Sequence, residues 1–188
     1  MSIGLTARTE PVTNVIFAGL GGQGVLTASG VLARVAFDAG YDVKKSEVHG
    51  MAQRGGSVSS DVRFGAEVLS PMVPAGAADF VIVLAEEEVE RARALVRPGG
   101  TFITLAAIDG RPLPSRKCLN VALLGVLSTY LDLSEEAWRA AVRASLPPKL
   151  HADNELAFAA GRAAGAAAVA AGGAGRAAGA GADPTRES

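Results

Sequence analysis

The hydrophobic pattern along this chain alternates between strand-like runs and helical spacing. "NVIFAGL", Asn14 to Leu20, is a short apolar run closed by glycines, the pattern of a buried strand. From Gly24 to Gly40, apolar residues at Val25, Leu26, Val31, Leu32, Val35 and Ala36 keep helical spacing, with Gly40 placed to cap the helix. "YDVKKSEV" predicts a second strand. "SVSSDVRFG" predicts a third, in which Val58, Val62 and Phe64 alternate with polar residues. After a Pro-rich link, Asp79 to Ala85 is apolar at every position past Asp79, as in a strand covered on both faces. "EEEVERARALVRPGG" predicts a helix with Val89, Ala92, Leu95 and Val96 on one side, closed by Pro98-Gly99-Gly100, and "TFITLA" a further strand.

The second half reads differently. A turn-rich link from Asp109 to Lys117 leads to an apolar helix, "CLNVALLGVLSTYL". Ser134 opens another helix as its N-cap, with Trp138, Ala141, Val142 and Leu146 as its stripe and Pro147-Pro148 as its stop. A last helix is predicted from Asn154 to Val169. The expected fold is therefore α/β: a Rossmann-like, mostly parallel sheet flanked by helices, with a helical C-terminal part. The expected organisation is a flexible leader over residues 1–12, one domain over 13–170, and a low-complexity Gly/Ala tail over 171–188 that lacks large side chains to pack.

Composition narrows the function. With 188 residues, 49% hydrophobic and 20% charged, the chain is expected to be globular. Its net charge of −1 provides no global field for nucleic acid or an anionic membrane, so neither is an expected partner. No signal-peptide pattern or membrane span is read from the sequence, and the expected location is cytoplasmic. The single cysteine, Cys118, is read as a partly buried thiol; one cysteine cannot hold an iron–sulfur cluster or a zinc site. No metal set, P-loop, HExxH, CxxC or nucleophile elbow is present, so no metal-ligating residue is assigned. His151 is expected to be structural or capping, and Trp138 to lie in the core or an interface.

"GLGGQG", Gly19 to Gly24, fits G-x-G-x-x-G between a predicted strand and a predicted helix. That context permits a tight turn, close helix–strand packing and free N–H groups that favour an anion. The dinucleotide version needs an acidic residue at the end of the next strand. Asp42 sits at that strand's start, and Glu47, near its end, follows Lys44 and Lys45, which suit a phosphate better than a diol. Beyond it lies the densest polar stretch of the chain, "KKSEVHGMAQRGG". His49 could act as a general acid or base, with Glu47 on the same strand face. Arg54 could clamp a carboxylate or phosphate, and Gly55-Gly56 would admit a close backbone approach. The plain alternative is a solvated connection with a structural histidine.

Together, the stretch from Asn14 to Gly65 and the later "SPMVPAGAADFVIVLAEEEVERA" closely resemble the small, gamma-type subunit of indolepyruvate:ferredoxin oxidoreductase, of the 2-oxoacid:ferredoxin oxidoreductase family. "NVALLG" and "NELAFAAG" match more loosely. The resemblance implies a subunit without redox cofactors of its own. Thiamine diphosphate and iron–sulfur clusters would sit on a larger partner subunit, ferredoxin would be reached through that subunit, and coenzyme A would be the co-substrate of a 2-oxoacid. It implies His49, Glu47 and Arg54 as catalytic candidates in a shared site. Cofactor or substrate contacts would come from Gly19, Gly21, Gly22, Gln23, Gly24, Lys45, Ser46, Gln53, Gly55 and Gly56. The link from Ala106 to Lys117 is shorter than the family leads one to expect. A free-standing Rossmann-type nucleotide-binding protein or dehydrogenase is the alternative reading.

Overall fold

The computed structural model describes residues 11–50 and 55–172. Of the expected leader and tail, residues 1–10 and 173–188 lie outside the described residues, as do Gln53 and Arg54. Five strands form one sheet: β1 (Thr13–Leu20), β2 (Asp42–His49), β3 (Ser57–Gly65), β4 (Ala78–Val83) and β5 (Val96–Ile103), in the order β2-β3-β1-β4-β5. β1, β4 and β5 pair in parallel, whereas β3 is antiparallel to both β1 and β2. Four strands thus share one direction and β3 alone opposes them, which makes the sheet mixed and mostly parallel.

The alternation in β3 explains its place beside β1. Val58, Val62 and Phe64 are buried on one face and line up with Gly19, Val15 and Thr13 of β1. That face carries α1 (Val25–Asp38), α3 (Leu119–Leu127), α4 (Glu135–Ser145) and α5 (His151–Ala170). Their apolar stripes join Val15, Phe17, Phe80 and Ile82 in the main core, with Trp138 and Phe158 fully enclosed. The other face has a smaller core, in which Ile16, Ala18, Val81 and Val83 meet Ala92 of α2 (Val89–Arg93). At the opening end of the sheet, Asp79 ties three strands together. It accepts the Asn14 N–H at 2.7 Å and the Arg97 Nε at 2.6 Å.

Several boundaries differ from the sequence expectation. The helix expected through Gly100 ends at Arg93, and β5 begins at Val96 and absorbs Pro98-Gly99-Gly100. Ala78 pairs with Val96 but Phe80 with Thr101, so those residues form a bulge in an edge strand, where a missing proline N–H costs no ladder bond. The expected helix through Leu131 stops at Leu127, where the Ser128 and Thr129 hydroxyls donate to the Gly125 and Val126 carbonyls. Ser134 is the N-cap expected: its Oγ accepts the Ala137 N–H at 3.2 Å. The last helix starts at His151 rather than Asn154, and the His151 Nε2 donates to the Leu146 carbonyl at 2.8 Å, a structural role. Among the described residues, no helix is long and apolar enough to cross a membrane.

Candidate functional site

The site begins where β1 ends. Leu20 leads into the loop Gly21–Gly24, and α1 follows at once. The loop is braced from within: the Leu20 N–H donates to Gln23 Oε1 at 2.8 Å, and the Gln23 N–H to the Leu20 carbonyl at 3.2 Å. Gln23 therefore spends its side-chain oxygen on the loop's own backbone. Gly19 serves packing, because a Cβ there would meet Gln23 Oε1 and Val25 Cγ2 at 2.9 Å. Gly24 caps α1 in the left-handed region, φ 79°, with no side chain to take the helix's first N–H groups. The first bond into the helix is Ala28 N–H to the Gly24 carbonyl at 2.9 Å, so the amides of Val25, Leu26 and Thr27 precede the intrahelical ladder. The first turn has no acidic residue, and its free amides favour an anion.

The β2–β3 hairpin brings the polar stretch to this loop. The antiparallel register sets His49 opposite Val58 and Ser57 opposite Leu20, so the end of β2 reaches the mouth of the glycine loop. Gly56 accepts the Gly21 N–H at 3.0 Å, and Gly50 donates to the Ser57 carbonyl at 2.7 Å, closing the connection against the loop. The result is an open cleft of about 390 Å³ lined by Leu20, Gly21, Gly22, Gly24, Val25, Leu26, Thr27, His49 and Val58.

Strand alternation puts Lys45, Glu47 and His49 on one face and Ser46 on the other. Lys45 Nζ lies 2.6 Å from Glu47 Oε1, while His49 Nε2 is 3.7 Å from Glu47 Oε2, beyond a direct hydrogen bond. The Lys45 hydrogen bond and charge, helped by His49, hold the Glu47 carboxyl below its ordinary value. Glu47 is thus an anion partnered by lysine, an arrangement that opposes use as a base near neutral pH. His49 is half exposed at the cleft wall. Ser46 offers its carbonyl to the Ser60 hydroxyl at 3.2 Å and its side chain to the sheet's far face. Gly55 and Gly56 flank the cleft from behind Gly21.

Asp42 lies at the opposite end of β2, paired with Gly65, and accepts from Lys44 and the Val68 N–H. Its carboxyl, lowered first by Lys44, has a structural task. β3 also separates β2 from β1, so the acid that takes a ribose in a dinucleotide fold has no equivalent place here. Across the sheet's carboxyl edge, Glu86, Glu87 and Glu88 follow β4, with Glu88 accepting from the Ser57 hydroxyl at 3.0 Å. The glycine loop is therefore flanked by His49 towards β2 and by carboxylates towards β4, so an anion is better placed on the His49 side.

Sequence reasoning missed Thr27 and Asn120. Thr27 borders both the first cleft and a second cavity of about 200 Å³ that Lys117, Cys118, Asn120, Asp153 and Asn154 also line. Asn120 is buried at 7% exposure. The signal was one amide in the apolar run "NVALLG". Cys118 is buried, as expected, and burial followed by the Asp153 charge pushes its thiol up. Among the described residues, no three His, Cys, Asp or Glu gather to hold a metal ion.

Comparison with known proteins decides the family. The sequence profile of the pyruvate ferredoxin/flavodoxin oxidoreductase family matches residues 14–114. The chain belongs to this family. It is 35% identical over 194 residues to indolepyruvate oxidoreductase subunit IorB of Thermococcus kodakarensis, covering 79% of this chain and 93% of that one. The IorB subunit of Pyrococcus horikoshii is 44% identical over 124 residues, 65% of this chain and 56% of that one. The fold matches a keto/oxoacid ferredoxin oxidoreductase gamma subunit of Geobacter sulfurreducens with TM-score 0.67 and 22% identity, over 82% of this chain and 99% of that chain. It also matches part of the 2-oxoglutarate:ferredoxin oxidoreductase of Magnetococcus marinus, solved with 2-oxoglutarate, coenzyme A and succinyl-CoA bound. There the TM-score is 0.71 and the identity 21%, over 83% of this chain and 31% of that one. The resemblance carried by the glycine loop and the polar stretch is borne out: the chain is of the small-subunit type of the 2-oxoacid:ferredoxin oxidoreductases, and a small subunit implies a larger partner.

Proposed function

We propose that this chain is the subunit without clusters in a cytoplasmic 2-oxoacid:ferredoxin oxidoreductase acting on an arylpyruvate such as indolepyruvate. In that complex it completes the site in which the 2-oxoacid is oxidatively decarboxylated to an acyl-CoA, with electrons leaving to ferredoxin. One observation carries the reading. The glycine loop, the uncapped start of α1 and His49 converge on a cleft open at the carboxyl edge of the sheet, a half-site that a partner can cover.

The residues present fit an anionic co-substrate. The first-turn amides of α1 and the Gly22 amide would hold a phosphate of coenzyme A, with His49 beside it and the Lys45–Glu47 pair further along the same strand face. A chain with one cysteine, buried and kept neutral, does not fit a cluster, so the larger subunit would hold the clusters and thiamine diphosphate. Those groups supply the carbanion stabilisation and the electron path when bound. This chain's own part is to bind, orient and exclude water. Glu47 keeps Lys45 in place, and His49 donates to the bound anion. Arg54, in the same connection, is assigned to the shared face.

The reading is tested by replacing His49 with alanine in the assembled complex. Loss of one charge-assisted contact, about 1.5–3 kcal/mol, would raise KM for coenzyme A roughly 10- to 100-fold. Unchanged kinetics for both His49→Ala and Arg54→Ala would overturn it. A free-standing nucleotide-binding protein is the weaker reading, since β3 occupies the place beside β1 that a ribose-binding strand would need.

A further inference from the structure

We propose that Asn120 is a positioning residue that sets the anion-binding turn of α1. The proposal rests on the reading of the cleft as a coenzyme A contact.

Asn120 lies in the first turn of α3, followed by the fully buried Val121, Ala122, Leu123 and Leu124. A side chain of similar size without polar atoms would suit that environment better, because a buried amide is costly unless bonded. Its Nδ2 donates to the Gly24 carbonyl across 96 positions of sequence, at a long 3.4 Å. The same carbonyl accepts the Ala28 N–H at 2.9 Å, so Gly24 is held from two sides. The carboxamide also fills the space beside Gly24: a Cβ on that glycine would overlap Asn120 Nδ2 and come within 3.0 Å of its Cγ. Gly24 is the left-handed residue from which α1 starts, so its peptide plane fixes where the Val25, Leu26 and Thr27 amides point. Asn120 is not among the residues that line the first cleft and acts through Gly24. It also borders the second cavity, which places it as the wall between the helical half of the fold and the glycine loop. Loss of the amide leaves the Gly24 carbonyl to Ala28 alone and opens the space beside Gly24, which loosens the turn that aims the three amides at one anion.

The test uses the assembled complex with Asn120→Leu, which keeps the volume and removes the donor. Coenzyme A binding by calorimetry weakens about tenfold and KM rises alike, while kcat stays within about twofold. Asn154→Leu is the control. Asn154 is another buried asparagine bordering the second cavity, with its Nδ2 given to Leu150 rather than to the loop, and its replacement leaves coenzyme A binding unchanged. If Asn120→Leu fails to assemble, Asn120→Asp is held to the same criterion. Unchanged coenzyme A affinity in the Asn120 variant, with a loss in His49→Ala, overturns the positioning role alone. Unchanged affinity in both overturns the cleft assignment and the positioning role together. Equal losses in the Asn120 and Asn154 variants overturn the positioning role by showing a general packing effect.

Discussion

Replacing Gly161 by alanine adds one methyl group where α5 lies on α3. That methyl would overlap the Ala122 carbonyl oxygen and sit 2.8 Å from the carbonyl carbon and 3.2 Å from the Ala122 Cα, whereas ordinary contact begins at 3.4 Å. The obstacle is backbone, so no rotamer change relieves it and the two helices must separate. Gly125 meets the same interface from α3, where a Cβ would overlap the Phe158 carbonyl oxygen. Alanine gains about 1 kcal/mol of helix propensity over glycine. Overpacking costs about 1–3 kcal/mol, and a backbone clash takes the upper end. The net loss is about 2 kcal/mol, or roughly 4–8 °C in Tm for a chain of this size. Gly30 in α1 is the matched control, because a Cβ there meets nothing within 4 Å. Gly30→Ala should therefore gain about 1 kcal/mol and raise Tm by roughly 2–4 °C. Circular dichroism melts of the full chain compare the two variants. A Gly161→Ala protein that melts at or above the unsubstituted temperature would refute the close packing of α5 on α3.

Other outcomes follow from single contacts. Ser134→Ala removes the cap on α4 and should cost about 1 kcal/mol in urea unfolding, with Ser134→Gly nearer to neutral. Glu47, Asp42 and Glu135 are held below their ordinary values, first by hydrogen bonds from Lys45, Lys44 and Arg139. A lowered folded pKa means stability present above the unfolded value and lost as pH falls through the folded one. All three thus weaken the fold on the acid side of the ordinary 3.8 for Asp and 4.5 for Glu. Asp61 has the opposite sign: burial raises its pKa against the Val73 N–H bond, so its protonation restores stability as pH falls. Asp61→Asn should therefore lose more stability on acidification than the unsubstituted chain, as read from urea midpoints near neutral pH and near pH 4; an identical loss would contradict the raised pKa of this half-buried carboxyl.

The elements that read well in the sequence are those with a strong, local period. β1, α1, β3 and the Ser134-capped α4 stand where apolar spacing and end signals placed them. What did not read is set by distant partners. The insertion of β3 between β1 and β2 depends on pairing across residues 50–56, and no two-residue turn announces it. β5 starts early because a bulge on an edge strand tolerates Pro98-Gly99-Gly100, which locally look like a helix stop. The site shows the same division. The glycine loop and His49 were legible, and the structure brings them to one cleft. The engagement of Gln23 with Leu20, the Lys45–Glu47 pair and the reach of Asn120 to Gly24 are side-chain geometries that spacing does not encode.

The central claim is that this chain supplies half of a shared active site. Reconstitution tests it most directly: ferredoxin reduction with indolepyruvate and coenzyme A is measured for the larger subunit alone, this chain alone and the two mixed. Turnover is expected only in the mixture, saturating at a fixed ratio of the two chains. Full turnover by either subunit alone would contradict it.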